Sequence, residues 1–192
     1  MIDYIKGEIT DLSPTFVVVE ANGIGYFVHI SLPSYSELLT RQSAKLYIYE
    51  AMREDACTLY GFLTQNERTL FLYLISVSGV GANTARMILS SLSPAELQQA
   101  ILSENVALLK NVKGIGLKTA QRIILDLKDK VIRTDVGADT PLTDHSVKAE
   151  AVSALVMLGF QQSGVLKVVE KLYGQNPALT VEQLIKQALQ QL

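Results

Sequence analysis

Residues 77–92, VSGVGANTARMILSSL, return 35 positions later as residues 112–127, VKGIGLKTAQRIILDL. Seven of the sixteen positions are identical: Val77/Val112, Gly79/Gly114, Gly81/Gly116, Thr84/Thr119, Ala85/Ala120, Ile88/Ile123 and Leu92/Leu127. Val80/Ile115 and Leu89/Ile124 add apolar matches. Both stretches sit between helical patterns, so they are an internal repeat. Each reads as a glycine-bracketed turn running into an amphipathic helix.

The chemistry follows from the glycines. Gly79 and Gly114 can take a positive φ, which permits a tight turn. Gly81 and Gly116 let the backbone come close to a ligand. The helix that follows opens with N–H groups that lack an intrahelical acceptor, an anion site of the size of one phosphate. Val80 and Ile115, between the glycines, read best as plugs holding the turn onto a helical core. A dinucleotide fingerprint would need a third glycine and a preceding strand, and a P-loop would need a Gly-Lys-Ser/Thr ending. Neither is present. The pattern instead resembles the helix-hairpin-helix family, which grips duplex DNA without regard to sequence, through backbone amides and a few basic side chains.

The copies are unequal. The second has Lys113 before its turn, Lys118 just past it and Arg122 one helical turn on. Lys118 and Arg122 share a helix face and are expected to flank the phosphate held by the amides. The first copy offers Asn83 and Thr84, with Arg86 and no lysine, so its grip should rest on main-chain N–H groups. The candidate DNA-binding set is therefore Gly79, Val80, Gly81, Asn83 and Thr84 with Gly114, Ile115, Gly116, Lys118, Thr119 and Arg122. Such contacts position a protein on DNA and carry no sequence code.

N-terminal to the repeat the periodicity is that of strands. YIKGEI, TFVVVE, GYFVHIS, AKLYIYEAM and ACTLYGFL are β-branched and aromatic runs broken by turn residues. ANGIG, residues 21–25, carries the Asn-Gly signature of a tight hairpin. Five strands in about 60 residues point to a small closed or nearly closed barrel. SYSELL, residues 34–39, reads as a helical turn bridging two strands. Between the last two runs, Arg53, Glu54 and Asp55 form a polar tip. It is either a solvated hairpin end or a rigid projection of two carboxylates that would repel phosphates and steer strands around it.

From about Thr64 the period becomes 3.6. QNERTLFLYLISV, ANTARMILSSL, SPAELQQAIL, SENVALLKNV and LKTAQRIILDLKDKV read as helices. Ser93, Pro94 and Glu96 spell a capping box with proline at the first helical position, and SENVALLKNV is given a similar serine start at Ser103. Residues 134–146 hold Gly, Pro and three Asp without an apolar cluster, which reads as a linker. KAEAVSALVMLGF, SGVLKVVEKLYG and TVEQLIKQALQQL then form three amphipathic helices, the last starting at Thr180 and Glu182. Their exposed apolar residues either dock a partner protein or form the module's own minimal core. The expected division is 1–64 barrel, 65–133 tandem hairpins, 134–145 linker and 146–192 three-helix module.

The charge is distributed in the same way. The net charge is −2, but residues 1–65 hold 4 Lys/Arg against 8 Asp/Glu, whereas residues 66–131 hold 8 against 5. The basic excess coincides with the repeat, and distribution rather than the total decides where an anion docks. The single cysteine, Cys57, excludes an intrachain disulfide framework, fits a reducing compartment and reads as a small apolar filler in a strand. With no leader and no run of 18 apolar residues, a cytoplasmic location is expected, with no membrane association. His29 and His145 fall in a strand and in the linker, with no Cys/His/Asp cluster beside them, so no metal site, no cofactor and no catalytic residue are expected. A nuclease or glycosylase would need catalytic groups the chain does not assemble. A pure adaptor would leave the duplicated hairpins unexplained.

Over essentially its whole length the chain resembles the bacterial RuvA family of Holliday junction branch-migration subunits. The resemblance is carried by MIDYIKGEI, NGIGYFVH, MREDACTLYGF, NERTLFLYLISVSGVG, KGIGLKTAQRIILDLKDK and EAVSALVMLGF. It implies an α+β multidomain fold: an OB-fold barrel, a helical domain with two helix-hairpin-helix motifs, and a C-terminal three-helix, UBA-like domain. It also implies a homotetramer, sometimes paired face to face as an octamer, on which an open four-way junction lies. Glu54 and Asp55 would then act as an acidic pin around the crossover. Leu158, Gly159 and Phe160 would dock the hexameric ATPase RuvB, and the endonuclease RuvC would be a further partner. Members often place lysines where Asn83 and Leu117 stand here, which shifts weight onto the amides, Lys118 and Arg122.

Overall fold

The computed structural model describes residues 1–135 and 145–192. Five strands, β1 (Tyr4–Ser13), β2 (Phe16–Ala21), β3 (Ile24–His29), β4 (Ser43–Met52) and β5 (Cys57–Phe62), close into a barrel in the order β1-β2-β3-β5-β4. Only β3 and β5 pair in parallel. Closure removes the free sheet edge that five short strands would otherwise expose. β1 serves two neighbours, β4 through Tyr4–Glu8 and β2 through Glu8–Ser13. A register shift between Ile9 and Asp11 marks where it bends to do so. The expected Asn-Gly hairpin is present, with Asn22 and Gly23 at φ 52° and 79°, the paired positive values of a two-residue turn that follows strand twist. Val17 and Val19 of β2 alternate inward with Leu46 and Ile48 of β4 to fill the barrel.

The bridging helix α1 (Leu32–Leu38) starts two residues earlier than its sequence pattern suggests. The Ser31 hydroxyl caps it by accepting from the Ser34 amide, and a proline in the first turn cannot waste a donor. Five helices follow: α2 (Gln65–Ile75), α3 (Ala82–Ser91), α4 (Pro94–Leu102), α5 (Val106–Lys110) and α6 (Leu117–Asp135). The Ser93–Glu96 capping box of α4 is formed reciprocally, as its spacing predicts. The serine start assigned to α5 is wrong. Ser103 ends α4, Glu104 turns the chain at φ 54°, and Asn105 caps α5. The Glu104 carboxylate pairs with Lys128 of α6 at 2.5 Å, an interaction between positions too distant in sequence to anticipate.

The barrel and the tandem hairpins pack together as one compact body, Met1–Asp135. The reason lies on the outer face of β4 and β5. Tyr60 and Phe62 are buried in the helical core, their rings 5.4 and 4.8 Å from that of Phe71 on α2. A polar latch reinforces the seam. Glu67, in the first turn of α2, accepts from the Ser31 hydroxyl at 2.9 Å, the Ser34 hydroxyl at 3.3 Å and the Leu63 amide at 3.2 Å. Burial raises its carboxyl above the ordinary range against the opposing pull of these hydrogen bonds. The folded state therefore holds this proton more tightly than the unfolded chain, and the group's contribution to stability falls as pH rises through its folded value. Glu67→Ala removes the acceptor shared by two buried hydroxyls and a half-buried amide and is expected to cost on the order of 2–3 kcal/mol, read as a lowered midpoint in urea.

The second unit contains α7 (His145–Met157), α8 (Gln162–Gln175) and α9 (Val181–Leu189) around its own core, with Leu155, Val165, Val169 and Leu184 at its centre. Gly159, at φ 100°, ends α7 in a Schellman turn: Phe160 N–H donates to Leu155 O and Gly159 N–H to Val156 O. Thr180 caps α9 and Glu182 lies in its first turn as expected, and Gln183 completes a capping box with Thr180. α6 runs two residues into the segment read as linker, and α7 begins at His145. The rest of that segment, 136–144, lies outside the described residues. No helix among the described residues is long and apolar enough to cross a membrane.

Candidate nucleic-acid interface

The two glycine turns are built alike. Gly79 and Gly114 take φ 92° and 91°. Before them, the Val77 and Val112 amides donate to Leu74 and Leu109 carbonyls at 3.1 and 3.2 Å. Inside them, the Val80 and Ile115 amides donate to Val77 and Val112 carbonyls at 3.0 and 3.1 Å. After them, the first helical bonds run from Ala85 to Gly81 at 2.9 Å and from Ala120 to Gly116 at 3.0 Å. The amides of 82–84 and 117–119 therefore have no intrahelical acceptor. The repeated apolar residues form one shared core: Val80 and Ile115 are each 5% exposed, and Ala85, Ile88, Ala120 and Ile123 are fully buried. Their side chains hold the turns in place, and only their backbone faces the site.

The other helices of this unit cap their own amides, with Ser31, Thr64, Ser93 and Asn105 for α1, α2, α4 and α5. α3 does not. Gly81 precedes it with no side-chain cap, and Gly116, which has no side chain to offer, precedes α6. Neither first turn contains an acidic residue. A Cβ at Gly81 or Gly116 would meet nothing within 4 Å, so nothing inside the chain requires glycine there. The space it leaves is on the outside, in front of two sets of free amides at the positive ends of helix dipoles.

The side chains around these cradles are less alike. Lys118 is exposed beside the second, with an ion-pair partner found nowhere among the described residues. Asn83, at the equivalent position of the first, has its Oδ1 accepting from the Tyr60 hydroxyl at 3.2 Å. Tyr60, on β5, was not in the sequence-derived set; it turns the Asn83 amide so that Nδ2, a donor, is left for an anion. Leu117, half-exposed in the first turn of α6, puts an apolar group where a donor would assist. Thr84 and Thr119 are half-buried.

The two arginines each donate to a backbone carbonyl outside their own helix. Arg86 turns away from the first cradle and donates from Nη1 to Thr15 O at 3.0 Å and Ile30 O at 3.5 Å, fastening α3 to the barrel. Its charge adds to burial in holding the His29 imidazole below its ordinary pKa, against a hydrogen bond with the Thr15 backbone. Arg122, expected to share the second phosphate with Lys118, donates from Nη1 to Ser78 O of the first turn at 3.2 Å. Position in a helix fixes the face a side chain leaves from, but tertiary packing selects its partner.

Glu54 and Asp55 stand exposed at the tip of the β4–β5 hairpin, which the Arg53 amide closes by donating to Ala56 O at 2.8 Å. Cys57, read as an apolar filler, is exposed at the start of β5 because that end of the hairpin projects beyond the core. Among the described residues, no group of three or more His, Cys, Asp or Glu is placed to hold a metal. In the second unit, Leu158 is exposed, Gly159 makes the turn and Phe160 packs partly into the module's core. Met157, outside the sequence-derived set, is 86% exposed beside Leu158.

Three family models match the chain in sequence order: the RuvA N-terminal domain over residues 1–61, a SAM-like helix-hairpin-helix tandem over 71–129, and the RuvA C-terminal domain over 146–192. The chain is 54% identical to the Holliday junction branch migration complex subunit RuvA of Bacteroides fragilis, 53% to that of Bacteroides thetaiotaomicron and 46% to that of Flavobacterium psychrophilum. In each case the match covers 100% of both chains.

Proposed function

The chain belongs to the RuvA family, and on that footing we propose that it is a non-catalytic scaffold that binds four-way DNA junctions, holds them open and unstacked, and loads a RuvB-type ATPase for branch migration. The observation that carries the reading is the pair of uncapped helix N-termini, Gly81 before α3 and Gly116 before α6, in a unit whose other helices cap themselves. Amide cradles of this kind take phosphates from any sequence. They suit a ligand defined by its shape.

The acidic domain then has a place in a DNA-binding protein. A four-fold assembly would bring four copies of Glu54 and Asp55 to the crossover, where like charge keeps duplex arms apart, while the basic hairpins hold those arms further out. The three-helix unit, with Met157 and Leu158 exposed at the end of α7, would dock the motor. A RuvC-type endonuclease would act on the same open junction. Binding of a synthetic four-way junction, followed by gel shift across a salt series, tests the phosphate grip. The logarithm of affinity should fall linearly with the logarithm of salt, by about 0.9 per phosphate neutralised. A flat titration would overturn the reading.

A further inference from the structure

We propose that Arg122 is a strut between the two hairpins, holding the first amide cradle at a set spacing from the second, rather than a cationic arm on its own hairpin's phosphate; this rests on the DNA-gripping reading above. Lys118 and Arg122 leave α6 from one face, one turn apart, but their surroundings differ. Arg122 donates to the carbonyl of Ser78, the residue immediately before Gly79 with its φ of 92°. Eight residues further along α6, Lys130 donates from Nζ to the Ser76 hydroxyl at 3.0 Å. Ser76 is the C-cap of α2. α6 thus holds the first turn by two points on its approach, Ser76 and Ser78, and a helix C-terminus favours cations there.

The repeat shows that the strut is not a routine part of such a hairpin. The position equivalent to Arg122 in the first copy is Met87, which has no donor, and the position equivalent to Ser78 is Lys113. The brace therefore runs one way, from the copy with its own lysine to the copy that has Asn83 instead. Two cradles that share a duplex must match the spacing of its phosphates. A pair fixed before binding loses less conformational freedom on association than a loose one. A brace on the first turn adds affinity without touching the ligand.

The test compares Arg122→Met with Lys118→Met in the full-length protein, using a four-way junction over a range of salt and amide hydrogen exchange of the free protein. Arg122 is exposed and methionine occupies the equivalent site of the first copy, so the variant should fold; an unchanged unfolding midpoint checks this. Lys118→Met should reduce the salt slope by about 0.9 for each phosphate it no longer neutralises, leaving exchange at the first hairpin untouched. Arg122→Met should weaken binding about tenfold through reduced preorganisation, with the wild-type salt slope, and speed exchange at the hydrogen-bonded amides of Val80 and Ala85 but not at those of Ile115 and Ala120. The strut is overturned if Arg122→Met flattens the slope as Lys118→Met does while exchange stays unchanged, or if affinity and exchange are both unaltered. Absence of salt-dependent DNA binding in the unmutated protein would instead sink the DNA-gripping reading, and exchange at the first hairpin would still decide whether Arg122 braces it.

Discussion

A chain ending at Asp135 is expected to bind four-way DNA within about twofold of the full-length affinity and to give no stimulation of the motor's ATPase or branch-migration activity. The first half of that expectation rests on where the cores lie. Every residue of both amide cradles, the acidic tip and the cluster around Phe71 belongs to the unit Met1–Asp135. The second unit has its own buried set around Leu155 and Val169, and changes in separately packed units without shared partners act independently. The second half rests on the exposed apolar end of α7. Exposed apolar side chains grouped on a small unit mark an interaction surface, and Met157 and Leu158 are 86% and 62% exposed where α7, whose inward residues already form a core, ends in its turn. Within the full chain, Leu158→Asp should reproduce the loss of stimulation while junction binding is retained. Gel shifts and motor-driven strand displacement read the two halves separately. Loss of junction binding in the shortened chain would overturn the modular account.

The parts of this molecule that were legible in the sequence are those whose geometry is set locally. Asn22-Gly23 specifies its turn through positive φ, Ser93 and Glu96 specify a helix start three residues apart, and the glycine pairs specify turns that then recur with matching angles and distances. The repeat added a second kind of evidence. Positions kept for packing, such as Ile88 and Ile123, separate from glycines that no packing explains, Gly81 and Gly116.

What stayed hidden depends on partners far away in the chain. Tyr60 reaches Asn83, Arg86 reaches Thr15 and Arg122 reaches Ser78 across 23, 71 and 44 positions. Spacing along the chain does not show which distant acceptor such a donor meets in the fold. The family model for the C-terminal domain and the described α7 both begin close to residue 146, which the change in composition had marked. The joining of barrel and hairpins into one body had a weaker signal: aromatic residues on the outward face of β5, which a solvated barrel has no use for.

Glu54→Lys with Asp55→Lys is expected to tighten binding to four-way DNA about tenfold at low salt and to slow motor-driven branch migration sharply. Both carboxylates are exposed on a two-strand tip, so their replacement leaves the core and its stability essentially unchanged. Each exchange turns a repulsion of phosphate into an attraction. Near water and within a Debye length of about 10 Å, each such term is worth on the order of 1 kcal/mol, and the two together are enough for the tenfold change. The same change removes what keeps the arms apart. With lysines at the crossover, strands that must part and re-pair as they pass would be held there, so affinity and migration should move in opposite directions. A further signature follows from counterion release: new contacts to phosphate steepen the salt dependence, so the gain in affinity should shrink as salt rises. If the double variant binds junctions as the parent does and migrates them at the parental rate, the tip is a solvated hairpin end and nothing more.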